Sequence, residues 1–282
     1  MILMILKDSD FIKKDQRELF NISNEVVPYI SYKCFDELSF IKNAFTLRKG
    51  ADGSPIYMFP AHAPSVDCAR SFSAQLAKEL GTDLSHRVFA QQKHTANVHL
   101  VNKSDIGHSF EESPIRNTDA LITNIPGTHL CISVADCIPL CFVDPVKKAI
   151  GVAHSGRKGT QLKIGRNVVD KMHSSFGSDP KDILATIGPG ICQDCYEVGP
   201  EILEEFKVDF GADACKLLFQ KKDEHYYLDL LLANKMLLLD AGLQEKNIVV
   251  SNICNRCNSD KFYSFRADGK IINQIHASLL LT

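Results

Sequence analysis

Two short apolar segments in the middle of the chain, joined by a turn, constrain the fold more than any other feature. Pro139 to Asp144 and Ala149 to Ala153 are typical of β-strands, and Pro145 with two lysines lies between them. Proline followed by polar residues favours a tight turn, so an antiparallel hairpin is expected. Because antiparallel partners lie equally far from the turn, Cys137 and His154 should meet at its open end.

Helix and strand patterns alternate along the rest of the chain. Apolar residues at helical spacing predict helices at 66–80, 160–176 and 228–241, each ending near a glycine. Further strands are expected at 1–6, 87–92, 97–101, 130–134, 183–187, 248–253 and 271–281. The strand before His154, the glycine-flanked loop 155–159, the helix and the next strand predict a right-handed crossover unit. These patterns indicate an α/β or α+β protein.

No linker-like or repeated segment divides the 282 residues, so one compact domain is the simplest interpretation. Residues 1–44 are interpreted as a strand-rich N-terminal extension packed on a catalytic domain of residues 45–282. Thirty-two basic and thirty-four acidic side chains leave a net charge of −2, which argues against a nucleic-acid or membrane partner. The apolar runs are too short for a membrane span or a signal peptide. A small-molecule substrate is expected.

Ten cysteines are spread along the chain without the density of a disulfide scaffold. A reducing, cytoplasmic compartment is therefore expected. Unpaired cysteine is among the most buried residue types, so five of the ten are interpreted as core residues. These five are Cys34, Cys68, Cys131, Cys141 and Cys215.

Two Cys-x-x-Cys pairs, Cys192/Cys195 and Cys254/Cys257, stand apart from the other cysteines. Four thiolates in two such pairs can build a closed structural zinc site. Both pairs also fit the enzyme family described below. A redox dithiol is less favoured, because neither pair clearly starts a helix beside a basic residue.

Two histidines and a cysteine are the candidate catalytic and metal-binding residues: His94, Cys137 and His154. Imidazole and thiolate are good zinc ligands, and three protein ligands leave a fourth position for water or substrate. Cys137 is forty-three residues from His94 and seventeen from His154, so the three form no compact motif. The predicted hairpin is the reason for placing Cys137 beside His154. Asp136 and Ser155 flank these two as candidate hydrogen-bond partners. The alternative is that each histidine is an ordinary hydrogen-bonded side chain.

Basic residues supply candidates for binding phosphate or a sugar, since guanidinium groups match such oxygens. The candidates are Arg48, Arg157, Lys158 and Arg266, together with Ser155 in the loop after His154. Each basic residue taken alone is more often a surface charge.

Several motifs, in order, resemble the laccase-like polyphenol oxidoreductase family, from about Phe45 to the C-terminus. The matching segments are Gln92-Lys93-His94-Thr95, Asp119-Ala120-Leu121-Ile122-Thr123, Ala135-Asp136-Cys137-Ile138-Pro139, Ala153-His154-Ser155-Gly156-Arg157-Lys158-Gly159, Ile187-Gly188-Pro189, Cys195-Tyr196-Glu197-Val198-Gly199 and Phe262-Tyr263-Ser264-Phe265-Arg266. Members of that family are mostly described as purine nucleoside phosphorylases with adenosine deaminase activity.

The resemblance implies a fold, a metal centre and a reaction. It implies a single-domain α+β protein, layered α/β/β/α with mixed sheets, in which His94, Cys137 and His154 bind zinc. It also implies purine nucleosides and phosphate as substrates, with adenosine, inosine and methylthioadenosine as candidates. Four positions depart from the family pattern: Thr95, Arg157, Lys158 and Ala267. Lys158 cannot form the bidentate contact of the family's arginine. The resemblance therefore implies the metal ligands more firmly than the substrate preference.

Three other functions remain open at this point. Cys137 could act as the nucleophile of a hydrolase of amide or peptidoglycan-type bonds, with His154 as its base. A copper-dependent polyphenol oxidase is a second alternative, although multicopper sites need more histidines than this trio provides. A non-catalytic metal-binding protein is the third.

Overall fold

Two six-stranded mixed sheets dominate the computed structural model, which describes residues 19–23, 25–50, 52–58, 63–107, 114–269 and 274–282. The strands are β1 (Phe20–Ser23), β2 (Tyr29–Tyr32), β3 (Ile41–Thr46), β4 (Arg87–Phe89), β5 (Val98–Leu100), β6 (Ala120–Thr123), β7 (His129–Val134), β8 (Ile138–Asp144), β9 (Ala149–Ser155), β10 (Leu184–Ile187), β11 (Glu197–Val198), β12 (Phe219–Lys222), β13 (His225–Leu228), β14 (Ile248–Val250) and β15 (Ile275–Leu281). The first sheet has the order β1-β2-β3-β15-β7-β4 and the second β14-β10-β8-β9-β6-β5, while β11-β13-β12 form a small third sheet.

Helices pack against each of the three sheets. They are α1 (Lys33–Asp36), α2 (Val66–Glu79), α3 (Arg157–Gln161), α4 (Ile164–Phe176), α5 (Pro200–Phe210), α6 (Ala212–Leu218), α7 (Leu230–Asp240) and α8 (Phe265–Asp268). Among the residues described, none of these helices has both the length and the apolar character needed to cross a membrane.

Alternation along the strands of the second sheet gives it two different apolar faces. In β8, Ile138, Leu140 and Phe142 pack in the core that includes helices α4 and α7. Cys141 and Val143 point the other way and pack against the first sheet. This division follows from the two-residue period of a strand, with both faces of the sheet buried.

A third, smaller core lies on the outer face of the first sheet. There Leu76 and Leu80 of the α2 region pack with Leu280 of β15 and Ala44 of β3. The layers are therefore helix, sheet, sheet and helix. This arrangement confirms the expected single-domain α+β sandwich with mixed sheets.

The hairpin predicted in the middle of the chain is confirmed as β8 and β9. Their register pairs Asp144 with Ala149 next to the turn and Pro139 with His154 at the open end. The carboxylate of Asp144 accepts the backbone N–H groups of Val146 and Lys147, at 2.8 and 2.9 Å, and so fixes the turn. Cys137, the residue before β8, therefore lies beside His154.

The segment after the hairpin differs in one respect from its prediction. A single helix over 160–176 was expected, but α3 and α4 are separate, and Lys163 between them has a left-handed backbone with φ of 60°. A continuous helix cannot pass through a left-handed residue, so the prediction was wrong there. The crossover connection is confirmed, because β9 and β10 are both antiparallel to β8 and therefore parallel to each other. Its right-handedness stays a prediction.

The strand expected at residues 1–6 lies outside the described residues. Residues 271–273 of the strand expected at 271–281 also lie outside them, and residues 275–281 form β15. Strand β3 runs through the boundary expected at residue 45 and pairs with β15 in the first sheet. The division into an extension of residues 1–44 and a catalytic domain stays a prediction.

Leu140→Ala should lower the free energy of unfolding by about 2–5 kcal/mol, because it removes a buried side chain between β8 and α4. The matched control is Leu217→Ala, where the leucine is 65% exposed and the change should cost less than about 0.5 kcal/mol. Urea unfolding of both variants measures the difference. Equal losses would contradict the placement of β8 at the centre of the helix-covered core.

Candidate metal centre and substrate cavity

The structure brings together the three side chains singled out as metal ligands. His154 is the penultimate residue of β9, Cys137 immediately precedes β8, and His94 lies in the loop between β4 and β5. One nitrogen or sulfur atom of each lies within 4.8 Å of those of the other two. Cys137 Sγ is 4.0 Å from His94 Nε2, and the two imidazole rings meet edge to face with centroids 4.8 Å apart.

The centre is buried on one side and open on the other. His154 is buried, Cys137 is partly buried and His94 is exposed. Gly156 closes the centre from the side of α3, since a Cβ atom there would lie 2.8 Å from Cys137 Sγ and 3.1 Å from His94 Cδ2. A side chain at position 156 would therefore displace the cysteine or the histidine.

A buried carboxylate, that of Asp119, holds the two histidines in place. His154 Nδ1 lies 2.9 Å from Asp119 Oδ1, and the backbone N–H of His94 donates to the same oxygen at 3.0 Å. Because the carboxylate accepts the Nδ1 proton, Nε2 of His154 is left as the ring nitrogen available to a metal. Asp119 just precedes β6, which pairs with β9, so the sheet itself places it beside His154.

The other oxygen of Asp119 is bound by the loop that carries His94. The backbone N–H groups of Lys93 and Thr95 donate to Oδ2 at 3.1 and 2.8 Å, and the Thr95 hydroxyl donates at 2.7 Å. Three successive N–H groups converge on one carboxylate because His94 is left-handed, with φ of 59°. Thr95, which departs from the family glycine, thus adds a hydrogen bond to this arrangement.

Electrostatics favour the charged form of the cysteine. Burial raises the pKa of the Cys137 thiol, but the charge and hydrogen bond of His154, with a hydrogen bond from His94, outweigh it and lower the pKa to about 6. Burial lowers the pKa of His154, whereas Cys137 and Asp119 raise it to about 9. Burial raises the pKa of Asp119, yet hydrogen bonds from His154 and Thr95 hold it at about 2. The thiolate is the form that binds metals or acts as a nucleophile.

A cavity of about 720 Å³ opens above this centre, within the size range of small-molecule sites. Its walls combine the three candidate ligands with two arginines, two aromatic rings and apolar residues. The lining residues are Ala90, Gln91, Gln92, Lys93, His94, Ser133, Val134, Ala135, Asp136, Cys137, His154, Arg157, Ile191, Tyr196, Leu230, Phe265, Arg266 and Gln274.

Two of the five residues expected to bind substrate line this cavity. Arg157 lies there and is ion-paired with Glu205 at 2.9 Å. Arg266 stacks over the ring of Tyr196, with its guanidinium carbon 5.1 Å from the ring centroid. A mixed wall of cation and aromatic ring results.

The other three lie outside the cavity. Arg48 is ion-paired with Asp268 at 3.1 Å. Ser155 is buried, and its hydroxyl donates to Asn234 of α7 at 2.8 Å. Lys158 is exposed on α3.

The residues flanking the ligands also have other contacts than expected. Asp136 lines the cavity and accepts the backbone N–H of Arg266 at 2.8 Å, so it positions α8. The hydrogen bond to His154 that was expected of Asp136 or Ser155 is made by Asp119. Three site residues, Asp119, Tyr196 and Phe265, could not be assigned to the site from sequence patterns alone. Each stands within a motif quoted above, which was the only signal in the sequence.

The two Cys-x-x-Cys pairs form a second cluster. One sulfur atom from each of the four cysteines lies within 4.8 Å of the others, and Cys195 Sγ is 3.4 Å from Cys257 Sγ. Of the five cysteines interpreted as core residues, Cys131, Cys141 and Cys215 are buried, whereas Cys34 and Cys68 are only partly so.

A layered α/β/β/α fold, with two histidines and a cysteine beside one large cavity, indicates a metal-binding protein with a site for a small molecule. The family described as multi-copper polyphenol oxidoreductase laccase matches residues 64–278, and the chain belongs to it.

Relatives of this chain carry enzyme names. The purine nucleoside phosphorylase YlmD of Bacillus subtilis is 38% identical over 195 residues, which cover 68% of this chain and 70% of that protein. The adenosine deaminase RL5 of an unknown prokaryotic organism is 34% identical over 72% of this chain and 79% of its own length. These relatives support enzymatic activity of this kind. The crystal structure of the hypothetical protein YfiH of Bacillus licheniformis matches with a TM-score of 0.85 at 28% identity, covering 93% of this chain and 99% of that one.

Asp119→Ala should lower the free energy of unfolding by about 3–5 kcal/mol, because it leaves the buried imidazole of His154 and the partly buried donors of the His94 loop without an acceptor. Asp170→Ala is the control, since that exposed carboxylate makes only a 3.7 Å pair with Arg166 and should matter by less than about 1 kcal/mol. Chemical denaturation followed by circular dichroism measures both. A loss at Asp119 no larger than at Asp170 would contradict its role as the common acceptor.

Proposed function

We propose that this protein is a zinc-dependent enzyme that cleaves purine nucleosides with phosphate and deaminates adenosine. One observation carries the proposal: two imidazoles and a thiolate, oriented by one buried carboxylate, meet in a cavity large enough for a nucleoside. Adenosine, inosine and methylthioadenosine are the proposed substrates, and the names of the relatives support this class. The ten free cysteines support the proposed cytoplasmic location.

The donor set at the centre fits zinc. In a tetrahedral site with zinc–nitrogen distances of about 2.0 Å and zinc–sulfur distances of about 2.3 Å, nitrogen and sulfur ligands lie roughly 3.6 Å apart. The 4.0 Å between Cys137 Sγ and His94 Nε2 is close to that separation. Zinc bound by three protein ligands supplies activation of a water molecule near neutral pH.

The chain's own residues bind and orient the substrates in this proposal. Tyr196 and Phe265 line the cavity with aromatic rings, on which a purine would stack. Arg157 and Arg266 place two guanidinium groups in the wall, where they bind phosphate. Asp119 keeps the proton of His154 on Nδ1 and thereby directs Nε2 toward the centre.

Both reactions balance with water or phosphate as the only co-substrate. In deamination, the oxygen of water bonds to purine C6 and the amino group leaves as ammonia. In phosphorolysis, a phosphate oxygen bonds to the anomeric carbon of the ribose while the bond to the base breaks, and the base departs with a proton.

A cysteine hydrolase is the second candidate, and the lowered pKa of Cys137 beside His154 favours it. Under that alternative, iodoacetamide should inactivate the enzyme and a chelator should leave activity unchanged. A copper-dependent polyphenol oxidase is less favoured on the donor set, because in the described part of the chain only two imidazoles meet at this centre.

Protein purified without added metal should contain zinc and convert adenosine to inosine when phosphate is absent. With phosphate present, adenine, hypoxanthine and ribose 1-phosphate should also form. Liquid chromatography of the products and elemental analysis of the protein measure the two results. Zinc-loaded protein that yields none of these purine products would end the proposal.

Cys137→Ala should lose one equivalent of zinc per chain together with deamination, because it removes the thiolate ligand. Cys68→Ala is the matched control, since Cys68 is likewise partly buried and lies outside the cavity. Retention of the same zinc content by Cys137→Ala would show that this cysteine is not a ligand.

Arg266→Gln should raise KM for phosphate in phosphorolysis about 10–100-fold, the value of one or two charge-assisted hydrogen bonds. Deamination uses no phosphate and should change far less. Arg166→Gln, on the exposed side of α4, is the control. Equal effects of Arg266→Gln on the two reactions would contradict a phosphate-binding role.

A further inference from the structure

The cluster of Cys192, Cys195, Cys254 and Cys257 lies outside the cavity lining and takes no part in the proposed reactions. We propose that these four cysteines bind a second zinc ion in a closed, structural tetrathiolate site. The ion would fix one wall of the substrate cavity.

The distances between the sulfur atoms suit such an ion. A tetrahedral zinc site with zinc–sulfur bonds of about 2.3 Å places its sulfur atoms roughly 3.8 Å apart. Here Cys195 Sγ and Cys257 Sγ are 3.4 Å apart, and all four sulfur atoms lie within 4.8 Å of one another. A small inward movement of the side chains would bring all four into bonding range of one ion.

Backbone groups around the cluster are arranged for thiolates. Cys254 Sγ accepts the N–H groups of Cys192 and Cys257, each at 3.4 Å. Donors of this kind stabilise the negative charge of a metal-bound thiolate. The neighbouring Arg256 adds a positive charge and donates to the carbonyl oxygen of Cys195 at 3.4 Å.

Burial indicates a closed site. Cys192 and Cys254 are buried, and Cys195 and Cys257 are only partly exposed. Four protein ligands occupy every position around a tetrahedral ion and leave none for a substrate, which is the property of structural zinc. A disulfide between Cys195 and Cys257 would involve only two of the four cysteines. It would give the buried thiols of Cys192 and Cys254 no part in the cluster.

The two pairs belong to segments that are distant in sequence and adjacent in space. Cys192 follows β10, Cys254 follows β14, and the parallel bridge between Gly190 and Cys254 joins the two segments. Hydrogen bonds from Gly190 N–H to Ile253 O and from Asn255 N–H to Gly190 O continue this link, at 3.2 and 3.0 Å.

Each of these segments leads into the cavity wall. Tyr196 directly follows Cys195, and Phe265 and Arg266 follow the second pair by fewer than ten residues. Because Arg266 stacks on Tyr196, an ion binding both pairs would hold the two halves of this stack together. The ion therefore has a positioning role, apart from the chemistry of the first centre.

The test uses the full-length Cys137→Ala variant, in which the first centre has lost a ligand. A failure of the second zinc site can therefore be distinguished from a failure of the proposed function. Elemental analysis of this variant should find one zinc per chain. Titration with a mercurial reagent should release that zinc as the four thiols react. Cobalt substitution should give the strong visible absorption of a tetrahedral thiolate site.

Substitutions within the cluster test the ligands themselves. In the same background, Cys257→Ser should lose the remaining zinc, whereas Cys257→His should retain it, because imidazole replaces thiolate in structural zinc sites. Cys68→Ser is the control and should leave the zinc content unchanged.

Three results would overturn the proposal. The first is a disulfide between any two of these cysteines, found by mass spectrometry of wild-type protein kept in reducing buffer. The others are four freely reactive cluster thiols in Cys137→Ala protein that holds no zinc, and iron in place of zinc at the cluster. The measurements on the unaltered cluster keep the test decisive if a substituted chain fails to fold.

Discussion

The carboxylate of Asp119 is the contact on which the arrangement of the candidate metal centre depends. It is buried and accepts donors from His154, from three consecutive backbone N–H groups and from the Thr95 hydroxyl. Each of these donors would be costly to bury without an acceptor. The loop at 93–95 therefore has one strongly favoured position, and that position places the imidazole of His94 beside Cys137.

The two-sheet core supplies the rigid frame for this contact. Strands β8 and β9 are buried on both faces, so a slip of one residue would exchange the residues facing the helices with those facing the first sheet. Their register is thereby fixed, and the positions of Cys137 and His154 are fixed with it. Strand β6 pairs with β9 and brings Asp119 to the same edge.

Much of this frame could be predicted from the sequence, because it depends on local patterns. The β8–β9 hairpin needed only two apolar segments and a turn, and it was enough to bring Cys137 to His154. The break between α3 and α4 could not be predicted, because the left-handed residue there is Lys163 and no glycine or proline marks it.

The partners within the site were harder to predict, because their contacts span long sequence distances. Asp119 is twenty-five residues from His94 and thirty-five from His154, and in the sequence only the motif Asp119-Ala120-Leu121-Ile122-Thr123 contains it. Asp136 and Ser155 are neighbours of Cys137 and His154 in sequence only. In an extended chain, successive side chains point to opposite sides, and Ser155 accordingly faces α7 while His154 faces the cavity.

The central claim is that His94, Cys137 and His154 bind one zinc ion. X-ray diffraction from crystals of the metal-replete protein, recorded on both sides of the zinc absorption edge, tests it most directly. Zinc bound there should give an anomalous peak about 2.0–2.1 Å from one nitrogen of each histidine and about 2.3 Å from Cys137 Sγ. Zinc-containing crystals with no peak among these three side chains, or with Cys137 Sγ turned away from it, would show that they do not bind zinc together.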